Sequence, residues 1–469
     1  AVRDGKVLAV GARGAILPLA AETTETIDLG GAALYPGFVD SHAHLLGIGL
    51  RELTLNLEGV TSIDELVDIV AAEVAESEPG AVISGRGWIE SQWPEKRFPT
   101  RADLDPASPN NPVILYRGDG HALVANSAAL ARAKITAATK APDGGRIERD
   151  AKGAPTGVLV DNAMALVEPL IGVLTETQKE EAYAAGAKVY AEYGWTGLHN
   201  MSVDPADLPI IERLAAKGAI PIRVYNALDR SGMDWLAANA PHTDATGRVI
   251  TRAVKLYADG ALGSRGAALE APYADDPSTS GLLLMKEEDA EAILDRARDE
   301  GIQVATHAIG DRANHLVLGW YRKALEGVAE SPRWRIEHAQ IIDPADIPRF
   351  ARDKIIASMQ PSHAISDFYF APARLGPDRL KGAYAWKSLL DAGAVIAGGS
   401  DAPVERGDPR IEFYAAVARR SVDGFQGPDW RPEEAVSRAE ALAMFTKAPA
   451  YASFQENELG TIEPGKRAD

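Results

Sequence analysis

In the segment PGFVDSHAHLLG, His42 and His44 stand two apart at the end of an apolar run. Such a run is predicted to be a strand, whose side chains alternate faces, so both imidazoles point the same way. Two imidazoles on one face make half of a metal site, although a lone His-x-His pattern also arises by chance. The rest of the chain adds to them: His307 closes GIQVATHA, His338 closes WRIEHA and Asp401 follows AVIAGGS. Lys255 sits in the middle of RAVKLYADG, where an unpartnered ammonium is costly to bury. Either it snorkels to the surface, or it is not an ammonium: an uncharged lysine can add carbon dioxide and offer two carbamate oxygens to two cations. The chain has no cysteine. Thiol nucleophiles, disulfides and thiolate metal sites are therefore excluded, and any metal must be held by His, Asp, Glu or Lys chemistry.

These residues need elements to position them. Short apolar runs suited to buried parallel strands occur at Gly37–His44, Thr196–Asn200, Ile222–Asn226, Ala253–Tyr257, Ile302–His307, Arg335–His338, Ile355–Met359 and Ala394–Gly399. Between most of them lie segments of helical period such as Lys286–Glu300 and Asp311–Leu325. Eight βα units are the count that closes an α/β (β/α)8 TIM barrel, and active sites of that fold lie at the C-terminal ends of the strands. About 150 residues separate the first run from the second, far more than a βα connection needs. This predicts a large insertion after strand 1, residues 50–192, acting largely as a cap and returning through a helix over Gln178–Tyr193. Residues 1–35 read as short glycine-bounded β runs, too few to bury a core alone. They are expected to join residues 450–469, around Leu459–Asp469, in a small β-sandwich domain beside a barrel of residues 36–449.

Hydrophobic residues make up 46% and charged residues 25% of the 469 residues, the balance of a globular protein rather than a disordered one. The formal charge is 49 − 67 = −18, which disfavours a nucleic-acid partner. No apolar run reaches the 18 or more residues of a membrane span, and the opening AVRDGKVLAVG lacks the order of a signal peptide. The expected partner is a small-molecule substrate, with no nucleic acid and no membrane, and with a homo-oligomer left open. Both termini fall in β-like runs, as cut ends would. The cytoplasm is the expected compartment, with the periplasm open if a leader has been removed.

The order of these groups along the chain resembles the amidohydrolase superfamily of metal-dependent hydrolases, in the branch with a long insertion after barrel strand 1 (amidohydrolase family 3-like). The likeness spans nearly the whole chain and includes GWIESQWP, GHALVANSAAL, KLYADGALGSRGAAL, THAIGDRA, IEHAQ and GGSDAPV. It implies that His42, His44 and Asp401 hold a buried metal, that His307 and His338 hold a more exposed one, and that carboxylated Lys255 bridges them. Zinc, one ion or two, is the default, with manganese, iron, cobalt and nickel as alternatives. Asp401 would then be the catalytic residue, taking a proton from the attacking water and passing it to the leaving nitrogen. The implied reaction is hydrolysis of a non-peptide carbon–nitrogen bond, in an amide, N-acyl, formamide or cyclic amide of a small molecule. Ester hydrolysis, deamination, decarboxylation or isomerisation on the same site are alternatives, as is a metal-binding protein without turnover.

Four further residues are candidates for substrate contact. His121 lies in the cap string RGDGHALVANSAAL, and His363 follows strand 7 in MQPSH. Arg265 lies in a glycine-rich loop after the lysine strand, where it either grips a substrate oxygen or forms a loop-stabilising ion pair. Trp88, with Trp93, is either an aromatic wall or cap core. His199 reads equally well as a hydrogen-bonded barrel histidine. His242 and His315 read as structural or solvated, and Asp311 as a helix N-cap.

Overall fold

The computed structural model describes residues 1–427 and 430–469. Its centre is a run of eight parallel strands, each carrying one of the apolar segments: β1 (Phe38–Ala43), β2 (Trp195–Val203), β3 (Arg223–Leu228), β4 (Val249–Tyr257), β5 (Gln303–Ala308), β6 (Arg335–His338), β7 (Ile356–Met359) and β8 (Ile396–Gly398). Sequential neighbours pair from β1 to β8, with register shifts in the β1–β2, β2–β3 and β3–β4 pairings, and a short antiparallel strand, His242–Thr243, is added to β4. The seam between β8 and β1 closes just beyond the strand ends. There the Asp401 amide donates to the His42 carbonyl at 2.7 Å, and the His44 amide donates to the Ala402 carbonyl at 2.8 Å. Buried Asp40 fastens the same seam, accepting from the Ser400 amide at 3.0 Å, the Ser400 hydroxyl at 2.6 Å and the Tyr190 hydroxyl at 2.9 Å. The result is a nearly closed (β/α)8 barrel.

Helices of the expected period cover its outside. Glu287–Asp299 and Asp311–Ala324 bury Ile293 and Leu294, and Val317, Leu318 and Tyr321, against the sheet. The helix Glu176–Tyr193 starts at a capping box between Thr175 and Gln178, which satisfies two of its free amide groups. It packs along the helix Leu45–Leu53 that follows β1. Contact there is so close that a Cβ on Gly49 would lie 1.7 Å from the Ala182 carbonyl oxygen. Glu176–Tyr193 therefore belongs to the outer layer of the barrel, not to the cap as the 50–192 boundary implied.

The strands of the insertion lie between Leu55 and Asp161 and form a separate six-stranded mixed sheet. Both of its faces are apolar, and alternation sorts them. Val113, Leu115, Val124, Val158 and Val160 join one cluster with Trp88 and Trp93, while Ile114, Leu123, Ala125, Ile147 and Leu159 join the other. The insertion thus carries its own cores.

The chain ends meet, as expected. Val7 donates to the Lys466 carbonyl at 2.8 Å, Gly465 donates to Val7 at 2.8 Å, and Lys6 bridges to Arg467. The expected β-sandwich is not what these residues build. Pairing is limited to Val2–Arg3 with Lys6–Val7, and no strand follows until Phe38. Leu8, Val10, Leu17, Leu19, Ile27, Leu29 and Leu34 are exposed, so no apolar face is enclosed to hold a second sheet.

Candidate metal and active site

On β1, Asp40 bonds Tyr190 of the outer helix, and a register shift against β2 between Asp40 and Ala43 leaves His42 facing Glu337, with His44 just past the strand. His42 Nε2 lies 3.5 Å and His44 Nε2 3.1 Å from the same oxygen, Asp401 Oδ1. The other ring nitrogen of each is already engaged: His42 Nδ1 donates to Glu337 Oε2 at 2.5 Å, and His44 Nδ1 to the Met201 carbonyl at 3.1 Å. Those bonds fix the tautomer and leave both Nε2 lone pairs facing the carboxylate. Burial, followed by the nearby Lys255, pushes the His42 imidazole down to about 4, so it is neutral near pH 7.

On β6, alternation alone would send Glu337 inward and His338 outward. Arg335 and Glu337 do share the inward face and pair there, with no exposure. His338 reaches the mouth by a different device. Its backbone is left-handed, with φ 73°, and Ala339 follows at φ 42°. The turn brings the His338 ring within 4.6 Å of the His307 ring and 4.7 Å of the His42 ring, centre to centre. Asp401 has the same left-handed backbone, at φ 60°. Such conformations in non-glycine residues are costly and concentrate at functional sites. His338 Nδ1 donates to Gln360 Oε1 at 2.9 Å, and His307 Nε2 lies 3.4 Å from the Gly260 carbonyl. Burial holds both imidazoles well below their usual range.

Lys255 is 1% exposed, which rules out snorkelling. Among the described residues it has no hydrogen bond or ion pair, and its Nζ rests 4.5 Å from the centre of the Tyr257 ring. All six residues assigned to metal from the sequence thus converge at one end of the barrel. His363 joins them in a role not anticipated for it. Its Nε2 lies 3.7 Å from Asp401 Oδ2, so His338, His363 and Asp401 form a second potential ligand group beside His42, His44 and Asp401.

The donor set fits a divalent cation. His42 Nε2 and Asp401 Oδ1 in the first group and His363 Nε2 in the second are buried polar atoms without hydrogen-bond partners, which a cation at each group would satisfy. Each histidine of the first group also has its second nitrogen held by a carboxylate or carbonyl, as metal-ligating histidines do.

A cavity of about 760 Å³ opens over this floor, lined by His44, Lys255, His307, His338 and Asp401 below and by cap residues above. His121 reaches it from the cap, its ring 5.1 Å from that of His307, and Nδ1 is held at 2.6 Å by Asp161. Burial opposes a charge on this imidazole, but the bond to Asp161 outweighs it and raises the pKa. Asp161 is wedged against the loop after β4, where a Cβ on Gly260 would lie 2.5 Å from Oδ2.

Two substrate candidates lie elsewhere. Trp88 is fully buried in the insertion, its indole donating to the Leu115 carbonyl at 2.9 Å and packing on Trp93 and Phe98. It is cap core because the register shifts at Gly87, φ 124°, which turns Trp88 onto the face of Ile83 and into that sheet's own apolar layer. Arg265 lines a neighbouring cavity, and its guanidinium pairs with Asp275 at 2.9 Å, which makes it the loop-stabilising ion pair. His199, His242 and His315 are bound to Arg335, Glu212 and Asp346 respectively. Among the residues not singled out from the sequence, Glu337 and Arg335 were within reach, because two charges spaced by two in an apolar strand must share a buried face. Asp161 left no local signal, since its partner is 40 residues away.

Comparison with known proteins gives the same reading. The YtcJ protein of Bacillus subtilis is 36% identical over 95% of this chain and 84% of its own length. An N-substituted formamide deformylase of Arthrobacter pascens is 28% identical over all of this chain and 88% of its own. The crystal structure of a metal-dependent hydrolase from Pyrococcus furiosus superposes with a TM-score of 0.76 at 31% identity, covering this whole chain and 92% of the other. The profile of the amidohydrolase family matches residues 25–469, and with the strand-end histidines and Asp401 already in place, the chain belongs to that family of hydrolases.

Proposed function

We propose that this protein hydrolyses a non-peptide carbon–nitrogen bond, in an amide, N-acyl, formamide or cyclic amide of a small molecule, with Asp401 as the proton-transfer group. The observation that carries the reading is the convergence of unpartnered His42 Nε2 and Asp401 Oδ1 beneath a capped cavity. Support for the bond type comes from the formamide deformylase among the relatives.

His42, His44 and Asp401 would hold one cation, zinc by default. His307 and His338 would hold a second, with Lys255 joining the two as a carbamate and His363 available beside His338. A divalent ion in such a site supplies Lewis acidity, polarising a carbonyl and acidifying a water. Asp401 accepts the proton of the attacking water and delivers it to the departing nitrogen, so that amide and water give acid and amine. Glu337 and Met201 keep the His42 and His44 rings oriented. The cap limits access to small molecules, and His121, held by Asp161, faces the substrate.

The test is turnover of a panel of formamides, N-acyl compounds and hydantoin-like rings by chelated and by metal-restored protein. Metal-dependent release of amine supports the reading, whereas hydrolysis of esters alone overturns it. Lys255→Ala separates the one-ion and two-ion forms. It is expected to lose metal and activity together, with no rescue by arginine and partial rescue by a small carboxylic acid. Full metal content with unchanged turnover would show Lys255 to be only a buried structural residue.

A further inference from the structure

We propose that Arg86 is the anchor for a carboxylate on the substrate, so that the preferred substrates are acidic amides such as N-acyl amino acids. This deepens the hydrolase reading above and rests on it. Arg86 lies on the cap strand Ile83–Trp88 and lines the same cavity as His44, His121, His338 and Asp401. One Nη donates to the Gly118 carbonyl at 2.9 Å, while its buried Nε has no partner. A guanidinium offers five N–H groups, so most of its capacity is unused.

Of the other charged groups around it, Lys255, Glu168 and Asp229 also lack an ion-pair partner among the described residues, whereas the nearest cations of the cap are paired. Arg117 is held by Glu90 at 2.8 Å and Asp119 at 2.5 Å, and His121 by Asp161 at 2.6 Å. Asp229, also on the wall, accepts from the Ser231 amide and hydroxyl at 2.8 and 2.6 Å. Among the described residues no acid lies within ion-pair distance of Arg86. Leaving a guanidinium this enclosed without a counter-charge is unfavourable, and a planar carboxylate meeting it through two parallel hydrogen bonds reverses that. The anchor sits in the roof and the proton-transfer group in the floor. Because both line one cavity, a ligand held there meets the anchor with its carboxylate and the floor with its amide, and an N-acyl amino acid carries both groups.

The experiment compares metal-loaded wild type, Arg86→Gln and Arg86→Lys on matched pairs: N-acetyl amino acids with small, aliphatic and aromatic side chains, and their C-terminal carboxamides. Two quantities are read for each pair, the ratio of kcat/KM and, independently of turnover, the ratio of affinities by calorimetry. Wild type is expected to favour the carboxylate by about tenfold or more, the size of a charge-assisted interaction. The ratio should fall close to one in Arg86→Gln and to an intermediate value in Arg86→Lys, which keeps the charge and loses the fork. Metal content and thermal melting establish that each variant is folded, and if the glutamine variant is not, the lysine variant decides. A wild-type ratio near one in both readouts, or a ratio unchanged by substitution, overturns the assignment. Binding preference without turnover of either probe would count against the amide reading and leave Arg86 standing, whereas turnover without preference does the reverse.

Discussion

His42, His307 and Asp401 stand at the ends of strands whose positions are set by one continuous parallel ladder, whereas Arg86 and His121 stand on an inserted sheet with its own cores. In the floor, His42 is fixed by its strand and by a buried partner, Glu337. In the roof, position follows from how a second folded body lies over the first, through contacts such as Asp161 against the Gly260 loop. The difference separates two tasks. Metal chemistry tolerates little displacement and is built on strand ends.

If that division is right, the largest effects come from the floor. Asp401→Asn is expected to lower kcat/KM by about a thousandfold or more, since general acid–base catalysis contributes roughly 10²–10⁴ and a metal ligand is weakened as well. Steady-state kinetics with metal analysis checks this, and loss of less than tenfold would place proton transfer elsewhere. Glu337→Gln is next. It leaves Arg335 buried without its counter-charge, at a cost of about 3 kcal/mol, and should weaken metal binding about 10- to 100-fold by freeing the His42 ring. Denaturant unfolding and competitive chelation read the two effects separately.

A roof substitution should behave differently. His121→Ala is expected to reduce kcat/KM about tenfold with metal content unchanged, the magnitude of one lost charge-assisted hydrogen bond. Loss of metal in that variant would erase the distinction between floor and roof. The smallest effect belongs to a residue outside both. Arg265→Ala breaks a partly exposed pair with Asp275, worth about 1 kcal/mol at most, and should change turnover less than about twofold. A large rise in KM there would bring the neighbouring cavity into the active site.

The strand ladder and the chemical groups at its ends were legible in the linear chain. Each of the eight apolar runs coincides with a barrel strand, and His42, His44, Lys255, His307, His338 and Asp401 meet where the strands end. That legibility has a local cause: a buried parallel strand is a short contiguous apolar run, and the residue at its end is known from the same few positions. Other features had no local signature. The His338 ring enters the mouth only through a left-handed turn, and His363 comes to Asp401 only when β7 and β8 lie side by side. Trp88 and Arg265 had the right residue types for substrate contact, yet one was taken up by the insertion's own core and the other by Asp275.

The sequence by itself determined the barrel, its series of strand-end histidines with Asp401 and the existence of an insertion, because periodicity and residue type act over a few neighbours. Only the tertiary structure decided which polar groups of the insertion face the cavity, that Asp161 holds His121, and that Arg86 is left without a counter-charge. Each of those depends on where two separately cored bodies touch, which is set by contacts between residues far apart in the chain, such as Asp161 and Gly260, and is encoded in no single segment.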